Sequence, residues 1–135
     1  MNSLLLAQAV HVIFCAGLYA LLTVARAPNV WGIGKRADGT NPFSSIQPKI
    51  SANLSNQFEW PLFFHVICIL LLMTDQHNLG LYSLLAWVFI GGRILHSAVQ
   101  IGTENIRLRG AVFTLNFLAV LGMWVVFVIE LLSNR

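Results

Sequence analysis

Charged side chains are scarce in this chain of 135 residues. Asp, Glu, Lys and Arg together make up 10% of the sequence, and hydrophobic residues make up 57%. A typical soluble domain carries about 25% charged residues, so the composition excludes an ordinary water-facing globule. The net charge of +3 is small and spread along the chain. It does not form the dense basic patch that nucleic-acid binding requires, and we expect no nucleic-acid partner.

Cysteine is scarcer still than charge. The two cysteines, Cys15 and Cys68, both lie inside apolar runs and provide neither a disulfide framework nor a metal-binding spacing. His11 and His65 each lie one helical turn from one of them, but no acidic residue accompanies either pair. We therefore expect these four residues to be interior packing, and we expect no metal site. No nucleotide-binding or haem motif and no internal repeat is present.

Long apolar runs dominate what remains. The first run, 4–24, has the length of about 20 residues that a helix needs to cross a bilayer. The second run is short, so its helix should begin near Ser51, which places Pro61 inside the helix and should kink it. The sequence thus predicts an all-α membrane bundle with one domain over 1–135. Its four helices are expected at about 4–24, 52–73, 79–104 and 110–132.

Positive charge is concentrated in two of the three connections. The first, Ala25 to Gln57, has one acid, Asp38, and four basic residues: Arg26, Lys35, Arg36 and Lys49. The third carries Arg107 and Arg109 against Glu104, and the second, Thr74 to Asn78, carries Asp75 and no Lys or Arg. The positive-inside rule therefore predicts that loops one and three face the cytoplasm and both termini the other side, with Arg135 as an exception.

One charged residue, Arg93, lies inside an apolar run, where a charge is costly. An Arg at the centre of a membrane helix costs about 2.5 to 3.5 kcal/mol on insertion scales. On an ideal helix Arg93 shares a face of roughly 80° with four further polar residues, provided that the helix continues far enough. These are His96, Gln100, Glu104 and Arg107. Asn56 and Glu59 share a face at the start of helix two, and Arg26 ends helix one.

Two explanations of this polar set remain open. In the structural one, Arg93 pairs with Glu59, and His96 and Gln100 make hydrogen bonds between helices. In the functional one, the set is a ligand site reached from the cytoplasmic face, and the surplus of polar groups favours this. Arg binds carboxylates through a bidentate fork, and Glu binds ammonium groups. A small peptide with two carboxylates and one ammonium would suit both.

Two stretches of the chain resemble a known family. Asn56-Gln-Phe-Glu59-Trp-Pro61 resembles the motif at the start of helix two in the MAPEG proteins, the membrane-associated proteins of eicosanoid and glutathione metabolism. Arg93-Ile-Leu-His96-Ser-Ala-Val-Gln100, followed by Asn105-Ile-Arg107-Leu-Arg109-Gly, resembles the motif that ends helix three. The resemblance covers the whole chain and is strongest to the bacterial branch, which implies a bacterial inner membrane.

The resemblance implies a four-helix protomer, a homotrimer, and glutathione bound between protomers near the cytoplasmic face. Arg107 matches the Arg that stabilises the glutathione thiolate in enzymatic members. Ligand positions match Arg26, Asn56, Glu59 and Arg93, and His96 and Gln100 stand where leukotriene-forming members carry Tyr. Those members also carry an Arg where Ala52 stands, and Lys49 is a substitute for it. The implied function is a glutathione-dependent transferase or peroxidase acting on a lipophilic small molecule from the bilayer.

Two other functions are kept as alternatives. Some members of this family bind lipid or act as scaffolds without using glutathione, and the presence of Arg107 argues against that version. A small four-helix exporter would have a similar length, but such transporters use a membrane-embedded Glu in helix one. Helix one contains no acid in this chain, which argues against a proton-coupled transporter.

Overall fold

The computed structural model describes residues 2–74 and 78–133. Asp75 and Arg135, on which part of the expected orientation rests, lie outside the described residues. All regular elements in the described part are helices, and they number five instead of the expected four. They are α1 (Asn2–Trp31), α2 (Gln47–Ser55), α3 (Pro61–Met73), α4 (Leu79–Gly102) and α5 (Ile106–Ser133).

Three of these helices, α1, α4 and α5, are long and apolar enough to cross a membrane, and α3 is a shorter apolar helix. Many large apolar side chains point away from the bundle. Ile13 on α1 is 71% exposed and Met73 at the end of α3 is 78% exposed. Apolar surface of this extent is costly in water but favourable in lipid, where helices satisfy their own backbone hydrogen bonds. The all-α, membrane-spanning architecture is thus as the composition indicated.

The helix expected over 52–73 is two helices in the structure. The chain leaves α2 after Ser55 and forms tight turns through residues 56–60, in which the Gln57 and Phe58 amides bond the carbonyls three residues before them. Pro61 then occupies the first turn of α3, where its missing N–H costs nothing. In a continuous helix its ring would meet the carbonyl of Gln57, four residues earlier. Pro61 therefore breaks the helix where a kink was expected.

Helix α1 runs seven residues beyond its expected end at Val24, to Trp31, with Pro28 inside it. At 1.5 Å per residue, its 30 residues span about 45 Å, more than the ~30 Å hydrocarbon core. The helix is therefore longer than is needed to cross the bilayer. Asn41 of the following loop is buried and donates a hydrogen bond to the Ala25 carbonyl at 3.0 Å. Gly32, with φ of 72°, then turns the chain out of the helix.

Two apolar clusters hold the bundle together. The larger is built from α1, α3, α4 and α5 and centres on Phe64 and Phe89, whose rings stack at 4.4 Å. The smaller joins the second half of α1 to α2, through residues such as Leu22 and Ile50. Between the two clusters lies a layer of buried polar side chains. That layer is the structural context of the candidate site.

Candidate functional site

Arg93 is 1% exposed and binds the broken helix, not an acid. Its Nε donates to Oε1 of Gln57 at 3.0 Å, and its Nη2 donates to the backbone carbonyl of Asn56 at 2.9 Å. Both acceptors lie in the turn between α2 and α3, where the helix break removes the usual backbone partners. An unsatisfied carbonyl inside a membrane costs several kcal/mol. Arg93 therefore stabilises the break.

The structural explanation predicted an ion pair between Arg93 and Glu59. The described part of the structure does not contain it. Glu59 lies exposed in the turn. Within residues 2–74 and 78–133 a single ion pair occurs, between Lys49 and Glu104.

Gln57 is the centre of the buried polar layer. Its Oε1 also accepts from His11 Nε2 at 3.2 Å, and its Nε2 donates to Asn53 Oδ1 at 3.2 Å and to Ser97 Oγ at 3.3 Å. Asn53 continues the network by donating to Oε1 of Gln100 at 2.9 Å. Four elements are thereby joined by side-chain hydrogen bonds: α1, α2, the turn and α4. Sequence reasoning missed Gln57, whose only signal was a polar residue beside Asn56.

The two histidines extend this layer to α3 in one direction. Because Gln57 Oε1 only accepts, His11 Nε2 carries the proton, and His11 Nδ1 accepts from His65 Nε2 at 3.0 Å. His65 Nδ1 then faces the amide of Gln8 at 3.4 Å. This chain of contacts is complete when both rings are neutral. His11 and His65, expected to be interior packing, also hydrogen-bond to each other.

A cavity of about 370 Å³ opens where α4 meets the start of α5, and we call it the α4–α5 cavity. Ligand pockets in proteins commonly occupy about 300 to 1,000 Å³. Three residues expected in the site, Asn56, His96 and Gln100, lie in its wall together with Arg109. The remaining lining residues are Ile106, Gly110 and Phe113.

His96 is the unusual member of this wall. The residue is 3% exposed, yet its Nδ1 has no hydrogen-bond partner in the described part of the chain. Buried polar atoms are nearly always hydrogen-bonded, so an exception next to a cavity indicates a missing partner. The ring of Phe113 lies 6.1 Å away and offers no acceptor. The His96 ring lines the α4–α5 cavity, but its Nδ1 is enclosed by the surrounding protein and is not exposed to the cavity.

A second cavity of about 250 Å³, which we call the α2–α4 cavity, adjoins the first. The two share Gln100, Ile106 and Arg109 as lining residues. Lys49 of α2 and Glu104 of the α4–α5 connection also line it and hydrogen-bond each other. The Lys49 ammonium, with Arg109 nearby, holds the pKa of the Glu104 carboxyl below its usual range.

Positive charge is concentrated at the first turn of α5. Asn105 caps this helix, because its Oδ1 accepts from the Leu108 amide at 3.0 Å. Arg107 and Arg109 follow in the first turn, which contains no acidic residue. The helix N-terminus itself carries a partial positive charge, and anions bind there readily. The arrangement thus favours a ligand with negative groups.

The other expected site residues are dispersed. Arg107 is exposed and lines neither cavity, and its guanidinium makes no hydrogen bond or ion pair with any residue that the structure describes. Arg26 is exposed at the end of α1 and donates to Ser51 Oγ at 3.4 Å. Helix α4 ends at Gly102, so the expected stripe stops at Gln100, and Glu104 and Arg107 lie beyond it. The chain changes direction between α4 and α5. Arg109, which was not expected in the site, therefore lies in the walls of both cavities.

A third cavity of about 340 Å³ lies between α1 and α3, and we call it the α1–α3 cavity. Its walls are largely apolar and include Val12, Phe58 and Leu62, each more than half exposed. His11, His65 and Gln57 close its inner side, and Cys15 also lines it. No residue that the structure describes lines both this cavity and the α4–α5 cavity.

Comparison with known proteins agrees with this architecture. The model of the MAPEG family matches residues 4–129 of the chain, which is nearly its whole length. The chain belongs to the MAPEG family. No curated protein and no solved structure matches it. The MAPEG family includes glutathione-dependent transferases and peroxidases as well as non-enzymatic members. Membership of the MAPEG family therefore agrees with the membrane-spanning helices. It limits the candidate functions to those found in the family.

Proposed function

We propose that this MAPEG protein is a membrane-bound, glutathione-dependent transferase or peroxidase that acts on lipophilic substrates. The observation that carries the proposal is the α4–α5 cavity beneath the first turn of α5. Its wall combines the His96 ring, the amide of Gln100 and the guanidinium of Arg109. These groups suit an anionic peptide far better than a neutral lipid.

In this proposal Arg107 stabilises the glutathione thiolate. A free thiol has a pKa near 8.5, and only the thiolate is a strong nucleophile. A guanidinium beside the sulfur favours the anion and so raises the thiolate fraction at neutral pH. Arg107 is exposed on its own protomer, so its side chain is free to reach a ligand held between protomers. This fits the homotrimer that the family resemblance implies, which we include in the proposal.

The other expected residues divide into two roles. We propose that Asn56, His96 and Gln100, which line the cavity, contact glutathione, and that Arg26 and Glu59 reach it from the exposed rim. We assign Arg93 a positioning role, because it is buried behind the wall and holds the Asn56 carbonyl and the Gln57 amide in place. Its removal would change the shape of the site without removing a contact to the ligand.

Two reactions are open to such a thiolate. In conjugation, the sulfur attacks an electrophilic carbon, a C–S bond forms, and the leaving group departs or the carbanion takes a proton. In peroxide reduction, the thiolate breaks the O–O bond to yield an alcohol and a sulfenic acid. A second glutathione converts the sulfenic acid to glutathione disulfide and water. The bilayer supplies the lipophilic substrate in both cases.

The location follows the same proposal. Lys49 and Glu104 bond each other, so loops one and three lie at one end of the bundle, where most Lys and Arg residues are found. We propose that this end faces the cytoplasm, where glutathione is available, and that the membrane is the bacterial inner membrane.

The non-enzymatic alternative also has an observation in its favour. The α1–α3 cavity has largely apolar walls and exposed apolar residues at its rim, so it suits an acyl chain. A protein that binds lipid for a partner would need this cavity and would not need glutathione.

A turnover assay separates the two functions. The purified protein in detergent or nanodiscs is given glutathione with an aryl halide or a lipid hydroperoxide as the second substrate. We expect conjugate or alcohol to form, and Arg107→Ala to reduce turnover far more than it weakens glutathione binding. An unchanged rate in Arg107→Ala would remove Arg107 from the mechanism. Absence of turnover with every electrophile and peroxide, together with tight lipid retention, would support the alternative.

A further inference from the structure

The α2–α4 cavity carries three charges from three different parts of the chain. Lys49 comes from α2, Glu104 from the α4–α5 connection and Arg109 from the first turn of α5. This set of two cations and one anion is the complement of glutathione, which has two carboxylates and one ammonium. We propose that Lys49 and Glu104 form the subsite for the amino-acid end of glutathione, a subsite that rests on the proposed function.

The ion pair between Lys49 and Glu104 can be replaced by the charged groups of a ligand at little cost. It is the one ion pair in the part of the chain that the structure describes, and the Glu104 side chain is 86% exposed. Exposed ion pairs contribute little to stability, because water solvates the separate charges almost as well. A bound amino-acid group offers each partner an equal charge. Its ammonium replaces Lys49 as the partner of Glu104, and its carboxylate replaces Glu104 as the partner of Lys49. The protein therefore loses little when the pair opens.

Arg109 completes the arrangement. It lies in the wall that the α2–α4 cavity shares with the α4–α5 cavity, so it can pair with the second carboxylate of a ligand that extends from one to the other. The His96 ring lines the α4–α5 cavity. A tripeptide whose amino-acid end lies at Lys49 would thus meet complementary groups along its length. Glu59, the acid expected from the family motif, lines neither cavity.

The test compares two ligands that differ by one charge. Calorimetry measures the affinity of the full-length protein for glutathione and for des-amino glutathione, in which hydrogen replaces the ammonium. We expect the wild type to bind glutathione about threefold more tightly, the scale of one solvent-exposed ion pair. In Glu104→Gln this preference should disappear, because glutathione binds more weakly while the des-amino ligand binds no more weakly than before. In Lys49→Gln both ligands should bind more weakly, because both retain the carboxylate.

Asp38→Asn is the matched control. It removes the same charge from an exposed loop residue that lines neither cavity and whose carboxylate accepts hydrogen bonds from the amide and the hydroxyl of Thr40. This variant should keep the wild-type preference. Retention of the preference in Glu104→Gln, or its loss in Glu59→Gln instead, would overturn the subsite while leaving glutathione binding intact. Failure of the wild type to bind glutathione at millimolar concentration would overturn the proposed function and the subsite together.

Discussion

Arg93 Nε lies 3.0 Å from Oε1 of Gln57 and donates a hydrogen bond to it, although the two residues are 36 positions apart in the chain. The contact joins the middle of α4 to the turn that separates α2 from α3. One polar layer results, whose members Gln57 and Gln100 line the α1–α3 cavity and the α4–α5 cavity respectively. This layer explains how an arginine is tolerated inside an apolar helix: Arg93 supplies the Asn56 carbonyl with the donor that the helix break removes and also bonds the Gln57 side chain.

Removal of Arg93 should therefore reduce stability. Arg93→Met leaves the Asn56 carbonyl without its donor, and an orphaned buried acceptor costs about 1 to 3 kcal/mol. We expect the midpoint of thermal unfolding in detergent to fall. Arg107→Met, which removes an exposed guanidinium, is the control and should leave the midpoint unchanged. An unaltered midpoint in Arg93→Met combined with weaker glutathione binding would make Arg93 a ligand residue and refute the positioning role.

Gly92 should be the glycine of α4 that does not tolerate a side chain. A Cβ at this position would lie 1.8 Å from Oδ1 of Asn116, which is fully buried. Overpacking of this kind costs about 1 to 3 kcal/mol, so Gly92→Ala should lower the unfolding midpoint. The adjacent Gly91 has open space at its Cβ, and Gly91→Ala should be neutral or stabilising.

A second substitution checks the cause of the Gly92 effect. Asn116→Ala removes the side chain that the new methyl group meets, so the double variant should be more stable than Gly92→Ala alone. A double variant that is as unstable as Gly92→Ala would mean that another contact limits the space at Gly92.

The two cysteines should differ in reactivity toward a lipophilic maleimide. Cys15 lines the α1–α3 cavity and is partly exposed, whereas Cys68 is fully buried in the larger apolar cluster. We expect mass spectrometry of the folded protein to show one label, which is lost in Cys15→Ala. Denatured protein should carry two labels. Equal labelling of both thiols in the folded state would show that the packing around Cys68 is looser than described.

The membrane-spanning, all-α character of the chain could be predicted because it depends on composition and on the length of apolar runs. The break between α2 and α3 could not be predicted, since a proline inside an apolar pattern, here Pro61, predicts a kink as readily as a break. The family motif identified Asn56, His96 and Gln100, which the structure brings together at one cavity.

The positions after Gly102 could not be predicted from helical periodicity. The expected stripe placed Glu104 and Arg107 on the face of Arg93, but α4 ends before them and the angle of 100° per residue no longer applies. The direction of the new helix is set by its Asn105 cap and by packing against α4, and this brings Arg109 rather than Arg107 to the cavity wall. Gln57 was missed for a similar reason, because its partners belong to other helices.

The proposed function requires that this protein binds glutathione and stabilises its thiolate. The most direct test is calorimetric titration of glutathione into the detergent-purified protein, with thiolate absorbance in the ultraviolet followed in parallel. We predict binding accompanied by a thiolate signal, and loss of that signal in Arg107→Ala. Absence of binding at millimolar glutathione would contradict the account, and the polar layer around Arg93 and Gln57 would then be explained by helix packing alone.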